Sequence, residues 1–197
     1  MYLMSGPSGA GKTTFAKDFA RSNGCQYLCI DDFYTLINGD ERLHEDSTDV
    51  WLIFFKAIHL AEMHGRDVVI DTNSPTKTKR TEFLDWFPSF EHHLIFVNAP
   101  FELCVCNNAS RNRKIPENEL REIFDSVEIP SDVTEDKRWD SIYRVENDNN
   151  KGFSCRYLRT PKWRGEECYC TTTGLVCSWC QQGSCEHRVY SKTEQSK

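Results

Sequence analysis

This chain has no long hydrophobic run: none of its apolar stretches reaches the roughly 18 residues that a membrane-spanning helix needs. It also lacks internal repeats and low-complexity segments, and a glycine-rich motif begins at residue 6, which leaves no room before it for a signal peptide. The 197 residues, 39% hydrophobic and 12% aromatic, suffice for one domain with a core plus a small appendage. We therefore expect a globular, cytoplasmic protein that has no membrane partner.

Cysteine, in contrast, is abundant, and in a reducing compartment the ten cysteines are expected to be thiols or metal ligands before disulfides. Six potential metal ligands fall within twenty residues: Cys168, Cys170, Cys177, Cys180, Cys185 and His187. The C-x-x-C spacing of Cys177 and Cys180 lets two thiolates bind one Zn²⁺. Four of the six would complete a tetrahedral site, and the spacing does not select which four. We predict a structural zinc here, with unliganded thiols or disulfides as the alternative.

The net charge of −6 is unevenly divided along the chain. Residues 1–150 hold 16 Lys and Arg against 26 Asp and Glu, whereas residues 151–197 hold 8 against 4. Together with the polar segment 147–152, this division predicts a main domain over 1–150 and a basic, cysteine-rich segment over 151–197. The acidic body argues against nonspecific nucleic-acid binding, while the basic segment could contact a polyanion. Ordinary surface variation explains the difference equally well.

A glycine-rich run is the most informative motif. It fits G-x-x-x-x-G-K-[ST], follows a short apolar segment and precedes a helical pattern, which is the setting of a phosphate-binding loop. Its predicted nucleotide-binding residues are Gly6, Ser8, Gly9, Ala10, Gly11, Lys12, Thr13 and Thr14. In such loops the glycines let backbone N–H groups point at phosphate oxygens, the lysine reaches the β- and γ-phosphates, and the hydroxyl of Thr13 ligates Mg²⁺. The motif predicts binding of a nucleoside triphosphate.

Apolar runs alternate with helical patterns along the first 145 residues. Strands are predicted at 2–5, 27–31, 67–71, 93–98 and 141–145, and helices at 12–22, 47–64, 75–87, 116–126 and, after Pro100, in one short segment. Ser74 is the expected cap of the helix that has Pro75 in its first turn. Strands separated by helices indicate an α/β fold with a parallel sheet flanked by helices, whose ligands bind at the carboxyl ends of the strands.

Two predicted strands end in carboxylates. Asp31 and Asp32 follow residues 27–30, and Asp71 follows residues 68–70, with Asn73 close behind. A carboxylate at this edge could take the proton from an attacking hydroxyl, and we assign that role to Asp31. Asp32 would support it, help to hold Mg²⁺ or cap a turn, while Asp71 would position Mg²⁺ or hold the acceptor. Asn73 is either a substrate contact or a helix cap.

A basic loop at 110–115 contains Arg111, Arg113 and Lys114. Closed over a triphosphate, it would neutralise charge in the transition state and exclude water. A solvated charged loop is the alternative interpretation.

Four segments, taken in order, resemble the polynucleotide 5′-hydroxyl kinase group of P-loop kinases, in particular the kinase half of the phage end-healing polynucleotide kinase. They are residues 6–13, residues 31–33, residues 69–73 with Arg80 after them, and residues 100–116 including Asn107. The resemblance covers about residues 1–130. It implies a P-loop kinase fold, ATP and Mg²⁺ as cofactors, Asp31 as general base and Arg111, or Arg113 in its place, as the lid arginine.

The chain departs from that family in two positions and lacks one of its sequence signatures. Tyr34 stands where the family has a substrate-side arginine, and Cys106 replaces an arginine common before the lid asparagine. The Asp-x-Asp-Gly-Thr signature of the phosphatase half is absent from the sequence, so we expect no end-trimming phosphatase.

Three functions are compatible with these motifs. The first is ATP-dependent transfer of the γ-phosphate to an alcohol group, the 5′-hydroxyl end of a nucleic acid. The second is the same chemistry on a nucleoside, sugar or antibiotic. The third is a nucleotide-dependent binding module. The motifs leave the oligomeric state open.

Overall fold

Strands and helices alternate as the sequence predicts in the computed structural model, which describes residues 1–39, 47–111, 114–131, 133–148, 152–159, 169–170 and 188–189. The strands are β1 (Tyr2–Ser5), β2 (Gln26–Cys29), β3 (Val68–Asp71), β4 (His93–Asn98), β5 (Ser141–Asp148), β6 (Gly152–Arg159), β7 (Tyr169–Cys170) and β8 (Arg188–Val189). The helices are α1 (Lys12–Asn23), α2 (Ile30–Asn38), α3 (Ser47–Met63), α4 (Lys77–Trp86), α5 (Phe101–Ala109) and α6 (Glu117–Asp125).

One six-stranded sheet has the order β2-β3-β1-β4-β5-β6. Its first five strands are parallel, with Leu3 of β1 opposite both Ile70 of β3 and Leu94 of β4. Because parallel strands share a direction, their carboxyl ends lie along one edge of the sheet. The phosphate-binding motif, which follows β1, and the residues that follow β2 and β3 all lie at this edge. The predicted α/β fold with a parallel sheet flanked by helices is confirmed.

The core lies on both faces of the sheet. Successive strand residues point to opposite faces, and neighbouring residues of β1 accordingly belong to different clusters: Leu3 packs with Phe54 of α3, and Met4 packs with Phe15 of α1. Helix α1 buries Phe15, Ala16, Phe19 and Ala20. Hydrophobic side chains therefore hold α1 and α3 against opposite faces of the sheet, and α1 fixes one end of the loop that follows β1.

The predicted strand over 27–31 is wrong at its end. Strand β2 stops at Cys29, and α2 begins at Ile30, so Asp31 and Asp32 lie in the first turn of a helix. Helix α2 is stabilised by burial of Ile30 and Tyr34, which are one turn apart, and it ends at Gly39 in the left-handed region. Both carboxylates remain at the carboxyl end of β2, near the positive end of the α2 dipole.

The predicted start of the helix that follows β3 is also wrong. Helix α4 begins at Lys77, and its N-cap is Thr76, whose hydroxyl accepts a hydrogen bond from the Lys79 N–H at 3.4 Å. The Ser74 carbonyl instead accepts a hydrogen bond from the Ser5 hydroxyl at 2.7 Å. Ser74 therefore lies next to Ser5, the last residue of β1, before the helix starts.

Strand β6 was not predicted. It pairs antiparallel with β5, which itself continues to Asp148 and so runs into the segment proposed as a boundary. Two further short strands, β7 and β8, pair antiparallel with each other. The division into 1–150 and 151–197 stays a prediction. Among the described residues, no helix has both the length and the apolar character needed to cross a bilayer.

Candidate active site

The loop between β1 and α1 has the backbone of a phosphate cradle. Gly6, Gly9 and Gly11 have φ angles of 129°, 83° and 93°, a region that side chains rarely adopt. Space is also restricted, because a Cβ on Gly6 would lie 2.1 Å from the Val97 carbonyl oxygen and a Cβ on Gly9 would lie 2.5 Å from that of Cys104. Conformation therefore requires a glycine at all three positions, as the motif predicts, and packing requires it at Gly6 and Gly9 as well.

Lys12 begins α1 and places its ammonium at the mouth of this loop. Its Nζ donates hydrogen bonds to the carbonyl oxygens of Gly6 and Pro7, each at 2.9 Å. Burial lowers the pKa of Lys12 to about 8; the negative charges of Asp71 and Asp31 oppose this shift, and the positive charge of Arg111 adds to it. Three predicted site residues from three other segments thus act electrostatically on the Lys12 ammonium.

Two asparagine side chains brace the loop from outside. Asn107 of α5 donates to the Gly9 carbonyl at 2.7 Å, and Asn147 of β5 donates to the Ala10 carbonyl at 2.9 Å. Each bond holds a loop carbonyl in one orientation, and with it the N–H of the same peptide group. Sequence reasoning missed Asn147, since it placed that residue in a boundary segment. The remaining motif residues differ in exposure: Ala10 is buried, Ser8 is half-buried and Thr14 is exposed.

Thr13 and Asp71 meet across the sheet edge. The Thr13 hydroxyl donates to Asp71 Oδ2 at 2.7 Å, and the Tyr27 hydroxyl donates to the same oxygen at 2.9 Å. Burial and the Asp71 charge raise the pKa of Tyr27, which keeps its hydroxyl protonated as a donor. Tyr27 is a second site residue that the sequence did not reveal. It lies within β2, and only the pairing of β2 with β3 brings its hydroxyl next to Asp71.

This pair fits a magnesium ion bound together with phosphate. Mg²⁺ in such sites takes one or two protein oxygens and completes its shell with water and phosphate oxygens. A hydroxyl and a carboxylate next to the loop supply that donor set. Within the described ranges, no group of three or more His, Cys, Asp or Glu side chains could hold a metal ion.

The residues predicted to contact the acceptor differ in their exposure. Asp31 and Asp32 are exposed in the first turn of α2, and Asn73 is exposed after β3. Tyr34, in contrast, is 5% exposed and belongs to the core cluster that contains Phe54. Its ring therefore stabilises the attachment of α2 to the fold, and its proposed contact with a substrate stays a prediction.

The basic loop is anchored at its base. Asn108 donates to the Ile115 carbonyl at 2.7 Å and accepts from the Ile115 N–H at 3.0 Å, so the two ends of the loop are closed by one amide side chain. Arg111 is exposed at the start of this loop. Arg113 and the zinc candidates Cys168, Cys177, Cys180, Cys185 and His187 lie outside the described residues, and of Cys170 only the backbone, in β7, is described. The zinc site stays a prediction.

A glycine loop, a lysine and a hydroxyl–carboxylate pair at the carboxyl edge of a parallel sheet define a nucleoside-triphosphate-binding P-loop fold. Residues 1–130 match the model of the AAA_33 family, which is described as an AAA domain. Because this match covers about two thirds of the chain, the protein belongs to that family of P-loop kinase domains. ATP and Mg²⁺ are the cofactors that the family implies. No curated protein matches the chain.

Several solved structures share the fold. A sugar kinase from Janibacter sp. HTCC2649 is 18% identical, with a TM-score of 0.54 over 74% of this chain and 83% of that one. A putative kinase from Chloroflexus aurantiacus is 16% identical, with a TM-score of 0.55 over 76% and 89%. A chain of the Pnkp1/Rnl/Hen1 RNA repair complex is 16% identical, with a TM-score of 0.58 over 64% of this chain but only 42% of that one. At these identities the likeness establishes the fold alone.

Proposed function

We propose that this protein is an ATP-dependent kinase that transfers the γ-phosphoryl group to the 5′-hydroxyl end of a nucleic acid. The observation that carries the transfer chemistry is the placement of the Lys12 ammonium at the phosphate loop beside the Thr13–Asp71 hydrogen bond, at the edge of the sheet that also holds Asp31. The acceptor class rests on the four ordered segments that resemble polynucleotide 5′-hydroxyl kinases. Likeness in fold to the RNA repair structure is compatible with it.

Each residue has a defined part in this mechanism. The loop N–H groups and the Lys12 ammonium hold the β- and γ-phosphates, and Arg111 approaches the transferring group from the basic loop. Asp31 accepts the proton of the acceptor hydroxyl while that oxygen forms its bond to phosphorus, and the bond from phosphorus to the ADP oxygen breaks. Thr13 and Asp71 would hold Mg²⁺, which, when bound, neutralises charge on the phosphate oxygens. Asp32 and Asn73 would contact the acceptor.

The test is transfer from labelled ATP to 5′-hydroxyl DNA and RNA oligonucleotides. We expect labelled 5′ ends with the wild type, and a loss of about 10²–10³-fold in rate with Lys12→Met, because a positive charge aimed at the transferring phosphate is removed. Arg21→Met is the matched control. Arg21 is a cation on the same helix, its side chain is 79% exposed, and its described partner is Asp18 at 3.4 Å.

A second candidate acceptor is a small-molecule hydroxyl. The acidic net charge of residues 1–150 and the likeness in fold to a sugar kinase favour it. Nucleosides and sugars therefore belong in the same assay. Label on one of them and none on any oligonucleotide would refute the nucleic-acid acceptor while retaining the kinase. ATP hydrolysis without label on any acceptor would favour the binding module.

We also propose that the cysteine-rich part of residues 151–197 holds one structural Zn²⁺, using four of the six Cys and His candidates. Sequence spacing supports this proposal. Elemental analysis of the purified chain should find about one zinc per chain, and a chain purified without chelators that holds no zinc would contradict it.

A further inference from the structure

A cavity of about 320 Å³ opens beside the carboxyl end of β3, and the proposed mechanism uses little of it. Four aromatic rings from α3 and α4, those of Trp51, Phe55, Phe83 and Trp86, form its walls, and residues 72–74 form the side next to the sheet. The volume is at the lower end of the range found for small-ligand sites. A cavity of this size accommodates one ring system of a larger substrate.

The aromatic walls are in mutual contact but are not closed off. The centroids of Phe55 and Trp86 lie 4.7 Å apart, and those of Trp51 and Phe55 lie 5.4 Å apart, with tilted planes in both pairs. Trp86 remains 45% exposed. An exposed tryptophan beside three other rings leaves aromatic surface in contact with water, which a planar partner would cover.

The cavity adjoins the site of transfer. Thr72 follows Asp71, whose carboxylate accepts the hydrogen bond from Thr13 of the phosphate loop. Since a chain advances at most about 3.6 Å per residue, the wall formed by residues 72–74 lies within about 11 Å of Asp71. Cys29 of β2 lies opposite Asp71, and Asp31 follows Cys29 by two residues, so the cavity and the proposed base lie at the ends of neighbouring strands.

The polar groups at the rim indicate which planar group fits. Lys79 and Glu82 contribute one charge of each sign, and Asn73 contributes an exposed amide that both donates and accepts hydrogen bonds. Aromatic walls with a single amide are suited to the face and edge of a nucleobase, because every base has a stacking face and a polar edge. A binding site for an anion would instead require several cations.

We infer that this cavity holds the first nucleobase of the acceptor strand, stacked on Trp51 and Trp86, and so positions the 5′-hydroxyl toward Asp31. The inference rests on the proposed nucleic-acid kinase activity and deepens it, because it assigns a recognition role to Trp51 and Trp86, which lie outside the four segments that indicate the family.

The test compares oligonucleotides with an intact and with an abasic 5′-terminal nucleotide. For the wild type, we expect the abasic end to raise KM by about 5- to 140-fold, the range expected for one base–aromatic stack, with kcat nearly unchanged. Trp51→Ala should also raise KM for the intact end, and its further loss on the abasic end should be smaller than that of the wild type, because both changes remove the stack on Trp51. Trp51→Phe should recover part of the affinity.

Two further variants keep the test decisive. Leu52→Ala is the matched control: Leu52 is the next residue on α3, is 50% exposed and is not part of the cavity wall, so its KM should equal that of the wild type. Trp86→Ala repeats the experiment if Trp51→Ala fails to fold, since Trp51 also packs against Phe54 with centroids 5.7 Å apart. Equal KM values for intact and abasic ends in the wild type would overturn the stacking site and leave the kinase standing. Failure to label any oligonucleotide would refute the proposed function itself.

Discussion

Asp31→Asn should reduce the turnover of phosphoryl transfer by about 10²–10⁴-fold, the contribution of a positioned general base. The amide has nearly the same shape as the carboxylate but cannot accept the hydroxyl proton. Because Asp31 lies on α2 rather than in the phosphate loop, ATP affinity should change little. The measurement is kcat for the acceptor together with ATP binding at equilibrium.

Asp18→Asn is the matched control for this change. Asp18 is a carboxylate on α1 whose described partner is the exposed Arg21, at 3.4 Å. Turnover by this variant should equal that of the wild type. If Asp31→Asn retained turnover within a few-fold of the wild type while Lys12→Met lost it, transfer would not depend on this base. A nucleotide-dependent binding module would keep its partner binding in the Asp31 variant.

Arg80→Ala should lower the free energy of unfolding by about 3–5 kcal/mol, because it leaves a buried carboxylate without its partner. Arg80 is fully buried, and it forms an ion pair with Glu135, itself 4% exposed. Its guanidinium also donates to the carbonyls of Pro75 and Glu128, each at 2.9 Å. The Arg80 side chain therefore links α4 to Pro75 before it and to Glu128 and Glu135 after α6. The loss is a large part of the stability of a typical domain.

Urea unfolding would measure this loss, and two comparisons interpret it. Arg138→Ala breaks the exposed ion pairs with Asp85 and Asp136 and should cost less than about 1 kcal/mol. Replacing both buried partners, as Arg80→Met with Glu135→Leu, should recover much of the stability, since no unpaired charge remains. An Arg80→Ala variant with the unfolding midpoint of the wild type would show that the pair does not stabilise the fold.

Local patterns were sufficient to predict the five parallel strands of the sheet and the phosphate loop. Both depend on features that are local in sequence: alternation of apolar runs with helical spacing, and glycines at fixed intervals before Lys12. Helix α2 was not predicted, because Ile30 continues an apolar strand pattern as well as it begins a helix. Only the packing of Ile30 and Tyr34 into the same cluster distinguishes the two.

Contacts between distant segments could not be predicted in this way. Thr13 and Asp71 are 58 residues apart, and Asn147 and Ala10 are 137 apart, so neither bond leaves a mark on a local pattern. The aromatic cavity is a further case. Trp51 fits the apolar face of α3 by spacing, yet its half-buried ring faces a space bounded by residues that follow β3. Such sites depend on how the sheet orders its strands.

The hydrogen bond from Asn147 has a practical consequence for any shortened version of this protein. The family match ends at residue 130, which makes that position an inviting place to cut. A fragment cut there would lose β5, and with it the amide that fixes the Ala10 carbonyl and the pairing of β5 with β4. The catalytic unit therefore extends at least to residue 147, and strand β6, paired with β5, is the first element through which the rest of the chain can affect ATP binding.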